Sequence, residues 1–478
     1  MMYSRLKPCG FSGADQWCRA AIRVTAAVSA CLLIASCGVV ARGVDNFRVI
    51  ESHAGEIGRS GKLTAQEMKW ARIAWRYFEA NTQLESGLVN GTDRFPVFTV
   101  WQTGDYLAAR IAAREIGLIN ERDFDLRMSQ LLRFLNTMEL SDGKLPNKAY
   151  NAISGKAVNF ANEQQDTGWS AVDIGRLLMW MKITQQRYPR YAEYFDKAAL
   201  RWDFCQVIDD KGVLYGASRQ GGQLVRYQEG RLGLEQLAGA GFSAWGLPVG
   251  VAASLPKTEV ANILGQRVHF DARDPRTSGA PAPVLTMPYV YMGMEQSWRN
   301  PETAVAAHSA VTPTFRQLAE SVYRVQEARY LKEGLFTARS DYRTPSPPYH
   351  VLDSVYASGY AWNTVDSENK EHESLALVST RASFGLWAIW QTDYTDRLID
   401  LVQSFHDPER GWYEGRLEAT GAPQKNITLT TNAAVLQALL FKVKGELHAR
   451  RSRPRPVYFE EQRADEYALR HRCTAGAP

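Results

Sequence analysis

The sequence predicts an all-α protein, an (α/α)6 toroid of paired helices with short strands confined to its loops. Three observations predict it. Apolar residues recur at helical spacing through a long succession of segments, while strand-like runs such as Gly212-Val213-Leu214-Tyr215 are few and short. The helices do not alternate with strands, which excludes parallel-sheet layouts built from βαβ units. No segment recurs at a fixed length, which counts against a helical solenoid. Of the 478 residues, 45% are apolar and 22% charged, enough for a large core and too apolar for intrinsic disorder.

The chain opens as an address. Cationic residues up to Arg23 precede the apolar stretch Val24–Ala35 and small residues around Cys37, the layout of a secretory signal. Such a stretch is too short to span a bilayer. Ile34-Ala35-Ser36-Cys37 resembles the bacterial lipobox, in which the cysteine is lipidated and becomes the mature N-terminus; an ordinary cleaved signal is the alternative. By the same resemblance, Gly38 favours a lipid-anchored periplasmic protein on the outer membrane of a Gram-negative bacterium. With Cys37 acylated, Cys205 and Cys473 remain, so neither a disulfide framework nor a metal site is implied. Residues 1–36 thus read as signal peptide, 37–62 as tether, 63–446 as toroid and 447–478 as a charged, disordered tail. The formal charge of +5 is placed mostly in the signal and the tail, leaving the body near neutral. That argues against a phosphate-tracking surface, so no nucleic-acid partner is expected.

Within the body, Thr64-Ala65-Gln66-Glu67 is a capping box opening a helix with the face Trp70, Ile73, Ala74 and Tyr77. A second helix over 99–117 ends at Gly117, and Met128, Leu131, Leu132 and Leu135 mark a third. Further helical runs cover 167–186, 190–204, 229–247, 314–331, 374–391, 393–405 and 429–445. Weaker patterns near 256–266 and 353–362 also read as helices, and the Pro-rich stretch 271–288 as a loop.

A helical toroid gathers the N-terminal ends of its inner helices at one rim, so acids and aromatics at helix starts are the candidates for a site. Trp101 and Asp105 share a face at the start of the second helix, where an acid also suits the macrodipole. Asp166, Trp169 and Asp173 group at the next inner helix. Asp166 also fits an N-cap, whereas Asp173 sits among apolar residues beside Gly175 and must be paired, hydrogen-bonded or functional. Its alternative is an ion pair with Arg176 or Arg231. In the run Tyr227 to Phe242, which contains Glu229 and Arg231, small and apolar residues surround Glu235; desolvation there would raise its pKa, as a general acid requires. An ion pair with Arg231 is the alternative. Trp412 with Glu414, and Asn432 at a late helix start, fit substrate contact or capping equally. The 13 Trp, 21 Tyr and 18 Phe suit stacking on sugar rings, although many must be core. No nucleophile elbow, HExxH, phosphate loop or dinucleotide fingerprint occurs, leaving carboxylate chemistry as the strongest candidate.

Several motifs in order carry a resemblance. They are Tyr77-Phe78-Glu79 with Gly87-Leu88-Val89-Asn90, Trp101 with Asp105-Tyr106-Leu107, Leu145-Pro146-Asn147-Lys148-Ala149-Tyr150-Asn151, and Gly168-Trp169-Ser170-Ala171-Val172-Asp173-Ile174-Gly175-Arg176. Leu200-Arg201-Trp202-Asp203-Phe204-Cys205 and the Gln228–Gly246 run complete the series. Together they resemble the bacterial domain-of-unknown-function family 3131, whose members look exopolysaccharide-associated, over most of residues 65–445. That family is more distantly similar to glycoamylase-like six-hairpin enzymes, including endo-β-1,2-glucanases. Val172-Asp173-Ile174-Gly175 looks like their Ser-Thr-Val-Asp-Ser-Gly-Asn segment, with Ile for Ser and, at Arg176, Arg for Asn. Glu235 falls where they carry a Tyr-x-Glu acid, but here Leu234 replaces the expected pattern.

The resemblance implies a glycoside hydrolase-like lipoprotein acting on a bacterial exopolysaccharide or glucan. Glu235 is the expected acid, and Asp173 or Asp166 the expected base. Trp101, Trp169, Tyr227 and Trp412 would hold sugar rings, Asn147 and Lys148 would bind hydroxyls, and Asp105, Glu229, Arg231, Glu414 and Asn432 would complete the binding set. Resemblance to (α/α)6 enzymes favours inversion of configuration. No metal or organic cofactor is required. The expected partners are a polysaccharide or oligosaccharide, the membrane through the lipid anchor alone, and exopolysaccharide synthesis or export machinery. The alternative function is a non-catalytic periplasmic glycan-binding protein that assists export.

Overall fold

Polar caps set where the helices begin. The computed structural model describes residues 58–273, 282–299 and 313–448. Thr64 opens α1 (Ala65–Asn81) with reciprocal hydrogen bonds to Glu67. Thr99 does the same with Gln102 at α2 (Val100–Ile116), which Gly117 closes in the left-handed conformation. Asn120 caps α3 (Glu121–Thr137) and Ser170 caps α4 (Ala171–Arg187). The chain continues through α5 (Ala192–Leu200), α6 (Leu234–Ala244), α7 (Gly250–Ala253), α8 (Met287–Gln296) and α9 (Phe315–Glu333). It then forms α10 (Thr380–Ile389), α11 (Asp393–Val402) and α12 (Leu429–Lys444).

The even-numbered helices are neighbours in a cycle. α2 packs on α4, α4 on α6, α6 on α8, α8 on α10, α10 on α12, and α12 back on α2. Each odd-numbered helix packs on an even one: α1 on α12, α3 on α2, α5 on α4, α7 on α6, α9 on α8 and α11 on α10. The tightest approach needs glycine. A Cβ on Gly241 of α6 would lie 1.9 Å from the carbonyl oxygen of Gly175 in α4, and one on Gly175 would lie 2.6 Å from Ala238. Beneath the helix starts, Arg176 pairs with Asp105 at 3.1 Å and with Glu295, and donates to Gln437 at 3.1 Å, joining α2, α4, α8 and α12. Glu295 also accepts from Trp180 at 2.9 Å and Gln437 at 2.8 Å.

Strands are more numerous than the sequence predicts. The segment read as a helix near 256–266 is instead half of the antiparallel hairpin Thr258–Ile263 with Gln266–Asp271. Thr258 and Val260 alternate along its first strand, and Leu264 and Gly265, with φ of 52° and 82°, make the two-residue turn. A similar hairpin pairs Tyr215–Gln220 with Gln223–Gln228 across Gly221-Gly222. The segment near 353–362 also forms short strands, not a helix. Conversely α8 begins inside the end of the stretch 271–288 read as a loop and is a helix the sequence did not mark; Pro288 fits its first turn, which has no hydrogen bond for a proline to remove.

Packed chain reaches slightly beyond 63–446. Arg59 donates to the Trp387 carbonyl at 2.9 Å and pairs with Asp396, while Leu447 is buried and its N–H donates to Met294. Cys205 is disulfide-bonded, a link the cysteine count does not imply. The proposed signal peptide, Cys37 and most of the tether and tail lie outside the described residues.

Candidate active site

All six ring helices send first-turn or capping residues into one cleft of about 570 Å³: Thr99 and Trp101, Val172 and Asp173, Leu234, Met287 and Pro288, Arg381, and Thr428 and Thr430. The strands Tyr342–Arg343 and His350–Asp353 supply another wall through Asp341, Arg343, Tyr349 and His350. Phe160 and Glu414 also line it. The rim expected from helix N-termini is therefore present.

Asp173 holds this rim together. One carboxylate oxygen accepts the Trp101 N–H at 3.3 Å, tying α4 to the start of α2. The other lies 3.2 Å from the Ser170 hydroxyl, which is 2.9 Å from a carboxylate oxygen of Glu229. The second oxygen of Glu229 accepts the Ala171 N–H. One hydroxyl thus stands between two carboxylates and can donate its single proton to only one of them at a time. Burial, more than any other influence, pushes the Asp173 carboxyl up to about 6 against the opposing pull of Trp101, Ser170, Lys148 and Arg343. Burial and then the charge of Asp173 push Glu229 up to about 7. Both carboxyls thus hold their protons to higher pH than ordinary carboxyls do, with the Ser170 hydroxyl between them. Lys148 donates to Ser218 and, at 3.3 Å, to Tyr227; burial lowers its pKa more than Glu229 and Asp173 raise it.

Across the cleft the electrostatics reverse. Burial opposes ionisation of Asp341, but Arg381 at 2.8 Å and His350 at 3.4 Å outweigh it and hold the carboxyl well below its usual range. Arg381 belongs to α10, three steps from α4 in the cycle of six. Glu414 accepts from Thr428 and, at 2.8 Å, from Thr431. Burial raises its pKa, and Arg381 and the two threonines offset only part of that rise.

Several expected site residues serve elsewhere. Glu235 is only 1% exposed and pairs with Arg273 at 2.6 Å; it does not line the cleft, where its neighbour Leu234 stands. Burial raises its pKa, and the cation paired with it is Arg273, from beyond the 258–271 hairpin, with Arg231 adding a lesser pull through its charge. Arg231 instead donates to the Gly230 carbonyl at 2.7 Å and to Gln228. Asp166 is a loop clamp: burial works to raise its pKa, but hydrogen bonds from Arg219, Ser141 and the N–H groups of Gly168 and Asp142 hold it down at about 2. Asp105 belongs to the Arg176 network, and burial raises its pKa.

Asn147 is buried, with its amide spent on Thr167, Ala149 and Val158. Trp169 and Trp412 are fully buried core, their ring N–H groups donating to the carbonyls of Tyr215 and Trp70. Asn432 is spent on the backbone of Trp412 and Thr428. Tyr227 and Lys148 lie behind the cleft beside Glu229. Trp101, Asp173 and Glu414 line it.

Asp341, Arg343 and Arg381 were not identified from sequence. Arg381 carries a usable signal, because a cation in the first turn opposes the helix dipole and needs a reason. Asp341 and Arg343 sit in an irregular loop and a two-residue strand, where no period marks them. Among the described residues no three His, Cys, Asp or Glu side chains converge as a metal site, and no helix is long and apolar enough to cross a membrane.

The same fold occurs in sugar-active proteins. A candidate glucoamylase from Bacteroides fragilis NCTC 9343 superposes with a TM-score of 0.59 at 14% identity, covering 81% of this chain and 93% of that one. An endo-β-1,2-glucanase from Chitinophaga pinensis, solved with sophorotriose and glucose, gives 0.53 at 12% identity over 80% and 94%. Cellobiose 2-epimerase from Bacillus thermoamylovorans B4167 gives 0.50 at 11% over 79% and 98%. No curated protein matches the sequence. The family model described as "Protein of unknown function (DUF3131)" matches residues 69–445, and the chain belongs to that family.

Proposed function

We propose that this protein is a glycoside hydrolase of the (α/α)6 toroid class, cutting a bacterial exopolysaccharide or glucan by two-carboxylate chemistry. One observation carries the reading: the cleft holds carboxyls whose surroundings drive them to opposite protonation states, Asp173 toward the acid and Asp341 toward the carboxylate. Asp173 protonates the leaving glycosidic oxygen. Asp341 takes a proton from water as that water attacks the anomeric carbon. Glu229 is a positioning residue that shares Ser170 with Asp173 and keeps its proton available. These roles replace those expected for Glu235 and Asp166. Acid and base come from different walls of the cleft, and inversion follows where their carboxyls stand about 6.5–9.5 Å apart with a water between them. Trp101, Phe160 and Tyr349 offer faces for sugar rings.

The protein is lipid-anchored through Cys37 on the periplasmic side of the outer membrane and works alongside exopolysaccharide synthesis or export machinery. Loss of lipid labelling in C37A tests the anchor. Incubating the mature protein with a glycan panel and measuring new reducing ends tests the activity. Asp173→Asn and Asp341→Asn are each expected to lower kcat at least about a hundredfold. Bound polymer that is never shortened would instead favour the non-catalytic glycan-binding alternative.

A further inference from the structure

Arg343 differs from the other charged groups of the cleft. Asp341 and Arg381 satisfy each other, Asp173 is held by Trp101 and Ser170, and Glu414 by Thr428 and Thr431. Among the described residues, no carboxylate lies within 4.0 Å of the Arg343 guanidinium and none accepts a hydrogen bond from it. It lies over Phe160, 5.6 Å from the ring centroid. Its backbone is fixed by strand pairing with His350 and by Asn426, which donates to its carbonyl at 2.8 Å. The side chain is half-buried, and burial lowers its pKa more than Asp173, Glu414 and Tyr77 raise it. A partly desolvated cation with an unused donor fork is unfavourable until a ligand completes it.

We propose that Arg343 forms a subsite for a carboxylate carried by the glycan, so that this cleft takes an acidic polysaccharide in preference to a neutral glucan. The inference rests on the reading of the cleft as a glycan site. A guanidinium presents two parallel N–H groups, which match the two oxygens of a carboxylate. Phe160 and Tyr349, 52% and 60% exposed, flank it with apolar faces for the sugar that bears the charge. The ring-helix N-termini add positive partial charge. The acids already present repel such a ligand little: Asp341 is neutralised by Arg381, and burial favours the protonated forms of Asp173 and Glu414. A uronic acid ring and a pyruvyl acetal substituent present the same planar group.

The test is calorimetric binding to the mature protein carrying Asp173→Asn, which stops turnover. The probes are an oligoglucuronate with its carboxyl-reduced counterpart, and a pyruvylated oligosaccharide with its depyruvylated counterpart. In at least one pair the acidic member is expected to bind about tenfold tighter, or about 1.4 kcal/mol, and to lose that preference in high salt. Adding Arg343→Gln brings the two members within about twofold while leaving the neutral one unchanged; Arg343→Lys keeps part of the preference. Equal binding within both pairs, no binding of any probe, or a preference that survives R343Q overturns the subsite. Hydrolysis of neutral glucan without acidic preference sinks the subsite alone. Acidic preference in a wild-type protein that never shortens a chain sinks the hydrolase and spares the subsite.

Discussion

At the scale of residues, the proton shared around Ser170 has consequences for both activity and stability. Asp173 and Glu229 hold protons in the folded protein that ordinary carboxyls release near pH 4. The folded state therefore binds more protons than the unfolded chain between about pH 4 and pH 7, and this pair's contribution to stability falls as pH rises through that window. Activity is expected to decline above pH 6–7 as the acid ionises. Glu229→Gln takes away the carboxyl that competes for the Ser170 hydroxyl proton and leaves that proton for Asp173, so the descending limb of kcat/KM should move to lower pH, and with one raised carboxyl fewer the slope of Tm against pH should flatten. An unchanged limb would detach Glu229 from the acid. Asp166 makes the opposite case. Asp166→Ala should cost about 1–3 kcal/mol of stability at pH 7 and leave kcat within about twofold, measured by urea unfolding and reducing-end release. Asp173 was legible in sequence because an acid amid apolar residues demands a partner. Glu235 satisfied the same logic and misled, because Arg273 reaches it from 38 positions away, past a hairpin read as a helix.

At the scale of elements, glycines decide which glutamate reaches the start of α4. The sequence reads one helix over 229–247, yet Gly230 and Gly233, both with φ of 96°, bend the chain before α6 begins at Leu234. Glu229 is thereby left at the end of the 215–228 hairpin, facing the start of α4, and Glu235 turns toward Arg273. The α4–α6 contact depends on glycine in another way. Gly241→Ala would drive a methyl into the Gly175 carbonyl and force the two helices apart. A loss of about 1–3 kcal/mol or more is expected by denaturant titration, with reduced kcat because Asp173 rides on α4. Full stability would show that the backbones can separate freely.

At the scale of the whole molecule, the Arg176 network fastens four ring helices beneath the cleft. Arg176→Leu leaves Asp105 and Glu295 buried without their cation and should cost about 3–5 kcal/mol at pH 8. Burial already raises the pKa of Asp105 and Arg176 is what restrains it, so in the variant stability should recover as pH falls and Asp105 becomes neutral; equal loss at pH 5 and pH 8 would assign the defect to packing alone. The sequence by itself determined the helical class, ten of the helices, their order and the rim of helix starts that lines the candidate cleft. It could do so because periodicity, caps and terminating glycines are local properties of neighbouring residues. It also marked Trp101 and Asp173 at helix starts, and Glu414 in an aromatic-acid segment that the structure makes a strand. Only the tertiary structure decided which acids face the cleft and which are spent on arginines, since Asp341 meets Arg381, and Glu235 meets Arg273, across loops whose paths no local pattern dictates.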